Sequence, residues 1–325
     1  MSVLLSVVMP THDRAADLER AAASVLAQDV DHLELVVVDD ASGDDTPEVL
    51  GRLAGRDARV RVVRTEGPLG PCEARNRGLA VARGELVAFC DDDDAWFPGV
   101  GRAVTEFLAA HPDVVAASAW HVVAHRADGA TAVFRGPLRY DSSHLLWQNV
   151  IALPFAVVRR TLLSFDVGFD PDLPTGEDWD LFLRCSFEGP VRTVPVVGYL
   201  YTQHGGARVT RTADAQAVGR RNFVRKHGAR MSGPCRLYHE TVLAGYAEGR
   251  AGMRHRLRRP GTPARDAAAV AAVLAASAAA ARLGQRRGDP GLQARLMTRL
   301  VGGRGGGSTT PGPAPSRAGA GPVGG

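Results

Sequence analysis

Three clusters of carboxylates stand at positions where a folded chain could use them on a ligand. Val36-Val37-Val38 runs into Asp39-Asp40, and Val87-Ala88-Phe89-Cys90 runs into Asp91-Asp92-Asp93-Asp94. A third group, Gly176-Glu177-Asp178-Trp179-Asp180, opens a stretch in which Trp179, Leu181, Phe182 and Leu183 are apolar. Four consecutive carboxylates repel one another, and a hard cation offsets that repulsion. Oxygen ligands suit Mg²⁺ or Mn²⁺, and such ions commonly use one or two protein carboxylates and complete their shell with substrate phosphates. The competing reading of the first two clusters is a solvated acidic loop or a helix N-cap. A carboxylate at a helix N-terminus complements the helix dipole. That accounts for one acid of the third group and less well for three acids flanking a tryptophan.

The elements that must position these clusters follow from the apolar pattern. Leu4–Met9, Leu33–Val38, Val60–Val63 and Leu86–Cys90 read as strands. Ala15–Gln28, Asp44–Leu53 and Glu73–Ala82 read as the helices between them, with Leu18, Ala22, Val25 and Leu26 on one face of the first. Strands rich in Val and Leu without polar alternation are buried on both faces. Strand-helix alternation of this kind predicts an α/β, Rossmann-like, mostly parallel sheet covered by helices. Ligands of open parallel sheets bind beyond the carboxyl ends of the strands, so Asp39-Asp40 and Asp91–Asp94 belong on one rim.

Further on, Gly99–Ala110 reads as a helix and Val114–His121 as a strand. Asp128-Gly129 fits a hairpin turn between His121–His125 and Thr131–Phe134. Glu177–Phe187 is expected to be a short helix and Val191–Tyr201 a strand. Residues 213–228, 235–250 and 264–287 read as helices. The expected organisation is an α/β domain over 1–230, a helical C-terminal region over 231–301, and a disordered tail over 302–325, where Gly, Pro, Ser and Thr replace large apolar residues.

Charge is unevenly shared. Residues 201–325 hold 21 Lys+Arg against 5 Asp+Glu, while residues 1–200 hold 18 against 30. A basic rear half facing an acidic front suggests contact with something anionic, such as a membrane surface or an acidic acceptor; a solvated basic face is the plainer alternative. No zinc finger or aromatic RNA-binding strand accompanies the arginines, so nucleic acid is not an expected partner. Cys72, Cys90, Cys185 and Cys235 form no CxxC pair, which fits reduced thiols in a cytoplasmic protein. The sequence has no signal-peptide pattern and no apolar window of the ~20 residues that a membrane span needs. Localisation is therefore expected to be cytoplasmic, at most peripheral at the inner face of the membrane.

The motifs, taken in order, resemble family 2 of the glycosyltransferases, the inverting group with the GT-A fold. Four segments carry the resemblance: Ser6-Val7-Val8-Met9-Pro10-Thr11-His12-Asp13-Arg14; Glu34 to Asp40 with Ala41-Ser42-Gly43-Asp44; Gly67 to Gly78 leading to Phe89-Cys90-Asp91-Asp92-Asp93-Asp94; and Gly176-Glu177-Asp178-Trp179-Asp180. The resemblance spans about residues 3–205 and implies a nucleotide-sugar donor, UDP or dTDP favoured, and a hydroxyl acceptor on a glycan, a lipid carrier or a small molecule. It implies that Asp40 accepts a hydrogen bond from the donor base, that Pro10, Thr11 and His12 line the base pocket, and that Arg75 and Asp92 lie near the nucleotide. His12 stands where the family often has an aromatic residue. Asp91-Asp92-Asp93 resembles the family's DxD element, with Asp93 the metal ligand and Asp91 supporting it. His204 resembles a histidine that touches metal or diphosphate. Asp178 resembles the general base, with Glu177 the neighbouring candidate. Burial beside Trp179 would raise the basicity of the carboxyl.

Two rival readings are a nucleotidyltransferase and a non-catalytic nucleotide-sugar-binding module. The first usually needs a basic, Gly-rich loop after the first strand, where this chain has Pro10-Thr11-His12-Asp13-Arg14; no GxxxxGK loop occurs either. Intact Asp93 and Asp178 weigh against the second.

Overall fold

The computed structural model describes residues 4–125, 131–149, 151, 153–163, 168–203 and 212–287. The first half alternates strand and helix as the apolar pattern predicts: β1 (Leu5–Thr11), α1 (Ala15–Leu26), β2 (Leu33–Asp39), α2 (Thr46–Arg56), β3 (Val60–Arg64), α3 (Pro71–Val81) and β4 (Leu86–Phe89). All seven residues of β2 are buried. On α1, Leu18, Ala21, Ala22 and Val25 are buried, a spacing that lines up one face of a 3.6-residue helix.

The chain continues through β5 (Ala95–Trp96), α4 (Val100–Ala110), β6 (Ala116–His125), β7 (Thr131–Phe134), β8 (Arg139–Tyr140), α5 (Ser142–Leu145), β9 (Ala156–Arg159), α6 (Glu177–Cys185) and β10 (Val191–Gln203). The helices α7 (Ala213–His227), α8 (Gly233–Leu257) and α9 (Ala264–Arg287) complete it. β6 pairs antiparallel with β7 as the expected hairpin, His121 opposite Phe134; its expected turn lies outside the described residues. α8 runs past the expected end at residue 250, and Gly249, at φ 62 and ψ −147, breaks it into two helical pieces.

The main sheet has the strand order β3-β2-β1-β4-β9-β6-β10-β5. Its first four strands are parallel, and β6 and β10 are parallel to each other. β9 is antiparallel to both neighbours, β4 and β6, and joins the two halves. The sheet is thus mixed, with the parallel half carrying the Rossmann-like pattern. The register sets Thr11 beside Asp39 and Val8 beside Phe89, so the carboxyl ends of β1, β2 and β4 share one rim.

Successive strand residues point to opposite faces. Leu5, Val7 and Met9 therefore pack with α1, α2 and α4 on one side, while Val8 packs on the other, where Trp179 and Phe182 of α6, Phe223 of α7 and Cys235 of α8 close the second core. α8 and α9 meet around Leu237, Tyr238 and Val270. Among the described residues no helix is long and apolar enough to cross a membrane. The expected tail over 302–325 lies outside the described residues.

Candidate active site

The rim begins at the end of β2. Asp39 accepts hydrogen bonds from Ser42 N (2.9 Å) and Arg64 Nη1 (2.9 Å). The Asp40 carboxylate accepts from Thr65 Oγ1 (3.1 Å) and Leu69 N (2.9 Å) on Oδ1 and from Gly70 N (2.8 Å) on Oδ2. Asp40 thus closes the loop between β3 and α3, and a donor base would meet only the remaining Oδ2 lone pair. That loop ends at Gly70, whose φ of +85° suits glycine and starts α3. The His12 ring sits on the Asp40 carbonyl through Nδ1 (2.7 Å) and keeps half of its side chain exposed. Thr11 is buried beneath it, and Pro10 is half-buried.

The four aspartates after β4 divide. Asp94 is fully buried and accepts from Thr202 N (2.9 Å), which ties the turn to β10. Asp92 is also buried. That burial pushes its carboxyl up to about 7; the Thr11 hydroxyl and Arg14 oppose the shift, and the charges of Asp93 and Asp91 add to it. Asp91 and Asp93 keep partial exposure. Arg20 of α1 holds the turn by donating to the Asp93 carbonyl (2.7 Å). Among the described residues no three Asp, Glu, His or Cys side chains converge into a closed metal centre. The accumulated negative charge at Asp91–Asp93, two of them solvent-touching, instead fits an open cation site that phosphate oxygens complete. His204 lies outside the described residues.

The third cluster faces this rim. Gly176, at φ +80°, makes a left-handed turn that most side chains would strain, and it starts α6 with Glu177 and Asp178 in the first turn. Arg75 of α3, only 6% exposed, reaches Asp91 through Nη2 (2.9 Å) and Glu177 through Nη1 (3.3 Å), and its guanidinium lies over the Phe169 ring. One arginine therefore spans the two acidic clusters. Asp178 accepts from its neighbour Trp179 N (2.6 Å) and from Asn149 Nδ2 (3.0 Å). Loss of hydration among its neighbours, with the Glu177 charge beside it, pushes the Asp178 carboxyl up to about 7. The carboxyl is thus desolvated yet still partly solvent-accessible.

Asp180 belongs to the same motif and does something else. It is fully buried and holds α6 to α7 through His227 (2.7 Å) and Lys226 (3.0 Å), with Arg184 (2.8 Å) on its own helix. Trp179 stacks on Phe223 (3.9 Å), which fixes the first turn of α6 against α7. Burial pushes the Cys72 thiol up to about 12, so it contributes no thiolate near Glu177.

The structure thus brings Arg75, Asp91, Glu177 and Asp178 together, with Pro10, Thr11, His12 and Asp40 on the same rim. The sequence reading singled out neither Asn149 nor Phe169. Each is a lone residue in a connecting segment with no spacing to mark it. The backbone amides of Leu69 and Gly70 were equally hidden, although Gly70 just before Pro71 signals a loop entering a helix.

The model of Glycosyl transferase family 2 matches residues 6–155. The chain is 26% identical over 245 residues to a putative colanic acid biosynthesis glycosyl transferase of Escherichia coli, covering 69% of this chain and 81% of that one. It is 28% identical over 272 residues to a succinoglycan biosynthesis protein of Rhizobium meliloti, covering 76% and 74%. Among solved structures, S. aureus TarS 1–349 in complex with UDP-GlcNAc has a TM-score of 0.58 at 17% identity, over 93% of this chain and 92% of that one. A mannosyltransferase from Pyrobaculum calidifontis in complex with GDP-Man and Mn²⁺ has a TM-score of 0.56 at 23% identity, over 94% and 87%. At these identities the two structures establish the fold alone, which is GT-A.

Proposed function

We propose that the chain, whose residues 6–155 match the model of Glycosyl transferase family 2, moves a sugar from a nucleoside diphosphate donor, UDP or dTDP favoured, to an acceptor hydroxyl with inversion at the anomeric carbon. The observation that carries this reading is Arg75, which joins Asp91 on the donor rim to Glu177 at the start of α6. This supports a reading in which the two acidic clusters act together on one donor and acceptor.

In this reading the nucleotide lies along Pro10, Thr11, His12 and Asp40, with Asp92 and Arg75 beneath the phosphates. The base offers its ring N–H to the Asp40 Oδ2 lone pair that the loop leaves open. Asp93 and Asp91 would hold Mn²⁺ or Mg²⁺, with His204 as a further ligand, and the bound cation supplies charge neutralisation on the leaving diphosphate. Asp178 takes the proton of the acceptor hydroxyl as that oxygen bonds to the anomeric carbon. The bond from that carbon to the diphosphate oxygen breaks with its electron pair going to the nucleotide. A carboxyl held near neutral accepts a proton more readily than an ordinary aspartate and is still ionised in useful amount at pH 7. Glu177, engaged by Arg75, is the less available base.

Relatives named for colanic acid and succinoglycan biosynthesis support a glycan or lipid-linked acceptor in polysaccharide or cell-wall synthesis. We also place the protein in the cytoplasm, with the basic C-terminal helices against an anionic membrane face; exposed Arg254, Arg258 and Arg259 support that contact.

The test is release of nucleoside diphosphate with Mn²⁺ and a panel of UDP-, dTDP- and GDP-sugars, with water as the acceptor. Release that needs Mn²⁺ is expected from one nucleotide class, with loss of at least about a hundredfold in Asp93→Ala and in Asp178→Asn. Titration of each donor by calorimetry in the presence of Mn²⁺ runs beside it. Absence of both release and binding would overturn the reading.

A further inference from the structure

We propose that Asn149 is a positioning residue for the reaction, holding the Asp178 carboxylate in one orientation and in its ionised form. The inference rests on the reading of Asp178 as the base.

The geometry is that of a clamp with a fixed polarity. Asn149 Nδ2 donates to Asp178 Oδ2 at 3.0 Å, and Asn149 Oδ1 accepts from Ile151 N at 3.1 Å. The second bond decides which way the amide faces. Turned over, the side chain would point its NH₂ at the Ile151 N–H and its oxygen at the carboxylate, two repulsive contacts in place of two attractive ones. The other oxygen of Asp178 accepts from the Trp179 N–H of its own helix. Trp179 in turn donates through Nε1 to the Leu145 carbonyl, at the end of the short helix α5 that leads to Asn149. The segment 141–149 thus holds both the tryptophan and the carboxylate that precedes it.

Each oxygen of Asp178 has one donor and keeps a lone pair, which is what a working base needs: fixed, yet not saturated. The other carboxylates nearby differ. Asp40 has three donors from the segment between β3 and α3, and Asp180 has His227, Lys226 and Arg184. The charged and titratable groups facing Asp178 are Glu177 on α6, Arg75 and Cys72 on α3, and Tyr199 on β10. Arg75 is bonded to Asp91 and Glu177 instead. Among the described residues Asn149 is the one side chain that hydrogen-bonds to Asp178. Such a bond favours the charged form and opposes the desolvation that raises this carboxyl.

The experiment follows Asp178 directly and through turnover. In protein labelled with ¹³C at aspartate carboxyls, the Asp178 resonance is identified by its absence in Asp178→Asn and titrated in the wild type, Asn149→Ala and Asn149→Asp. The midpoint is expected to rise by about one pH unit in Asn149→Ala, and further in Asn149→Asp, which keeps the shape but turns a donor into a like charge. The acid limb of kcat/KM for nucleoside diphosphate release, with the donor active in the panel, is expected to move by the same amount. The donor KM should stay constant, and Asn149→Gln, which keeps the carboxamide, should recover part of the shift. A midpoint and an acid limb unmoved in Asn149→Ala overturn the inference while leaving Asp178 as the base. Turnover retained in Asp178→Asn overturns both.

Discussion

Asp178 and Asp180 sit on the same turn of α6, and their surroundings drive their protonation in opposite directions. Burial alone would lift Asp180, but the His227 hydrogen bond and the Arg184 and Lys226 charges outweigh it and hold the carboxyl down at about 2. A depressed folded-state pKa contributes stability above the unfolded value of about 4 that is lost as pH falls through the folded one. Asp180→Asn is therefore expected to cost about 2 kcal/mol at pH 7, with the difference from wild type closing between about pH 4 and pH 2, as read from urea midpoints. Asp178 is the reverse case. Desolvation and Glu177 raise its carboxyl to about 7, so between pH 4 and 7 the folded state keeps a proton that the unfolded state releases, and stability declines as pH rises through that window. Asp178→Asn should be inactive and yet melt above the wild type at pH 8, by roughly 1–2 kcal/mol after allowance for its solvent-facing side, with the gap closing toward pH 4. A variant equal to or less stable than wild type at pH 8 would mean that the site is not strained by this charge.

At the scale of elements, α3 carries Arg75 to the rim and must lie close to β1 to do so. Gly78 allows that approach: a Cβ there would come within 2.4 Å of Val8 Cγ1 and 3.2 Å of Val38 Cγ2. Gly78→Ala is expected to cost about 1–3 kcal/mol by overpacking and to lower donor affinity, because α3 would be pushed off the sheet that presents Pro10 to His12. A denaturation curve and a donor titration check the two effects separately. The glycine was legible in the sequence only as part of a motif, but the strands and helices around it were legible outright. β2 is apolar at five of its seven positions and buried at all seven, and α1 follows its 3.6-residue stripe. The elements that escaped were short. β5 and β8 have two residues each, and β9 has four, Ala156-Val157-Val158-Arg159, too few to show a period. The same division holds in the site. Asp91, Asp93 and Asp178 stand in runs or motifs, whereas the occupancy of Asp40 depends on amides 29 and 30 residues away. Pairings set by tertiary contact leave no mark in local spacing.

At the scale of the whole molecule, charge divides between an acidic rim and a basic C-terminal stretch. Arg250, Arg254, Arg258 and Arg259 on α8 and just beyond it are exposed, and none has an acidic partner among the described residues. Co-sedimentation with anionic vesicles at low salt is expected, falling as salt screens the charges, with zwitterionic vesicles as the control and Arg254→Glu/Arg258→Glu reducing it several-fold. Absence of binding to anionic vesicles at low salt would remove the membrane contact. The sheet carries a further consequence of its own. Its middle strand, β9, is made after both strands that flank it, β4 and β6. While the ribosome has delivered only the residues before 156, the growing polypeptide holds two incomplete half-sheets, each with an open hydrogen-bonding edge of the kind that recruits other chains. Synthesis of four residues, Ala156 to Arg159, supplies the strand that can cap both edges and weld the halves together. Any version of the protein cut short just ahead of that segment inherits both edges permanently.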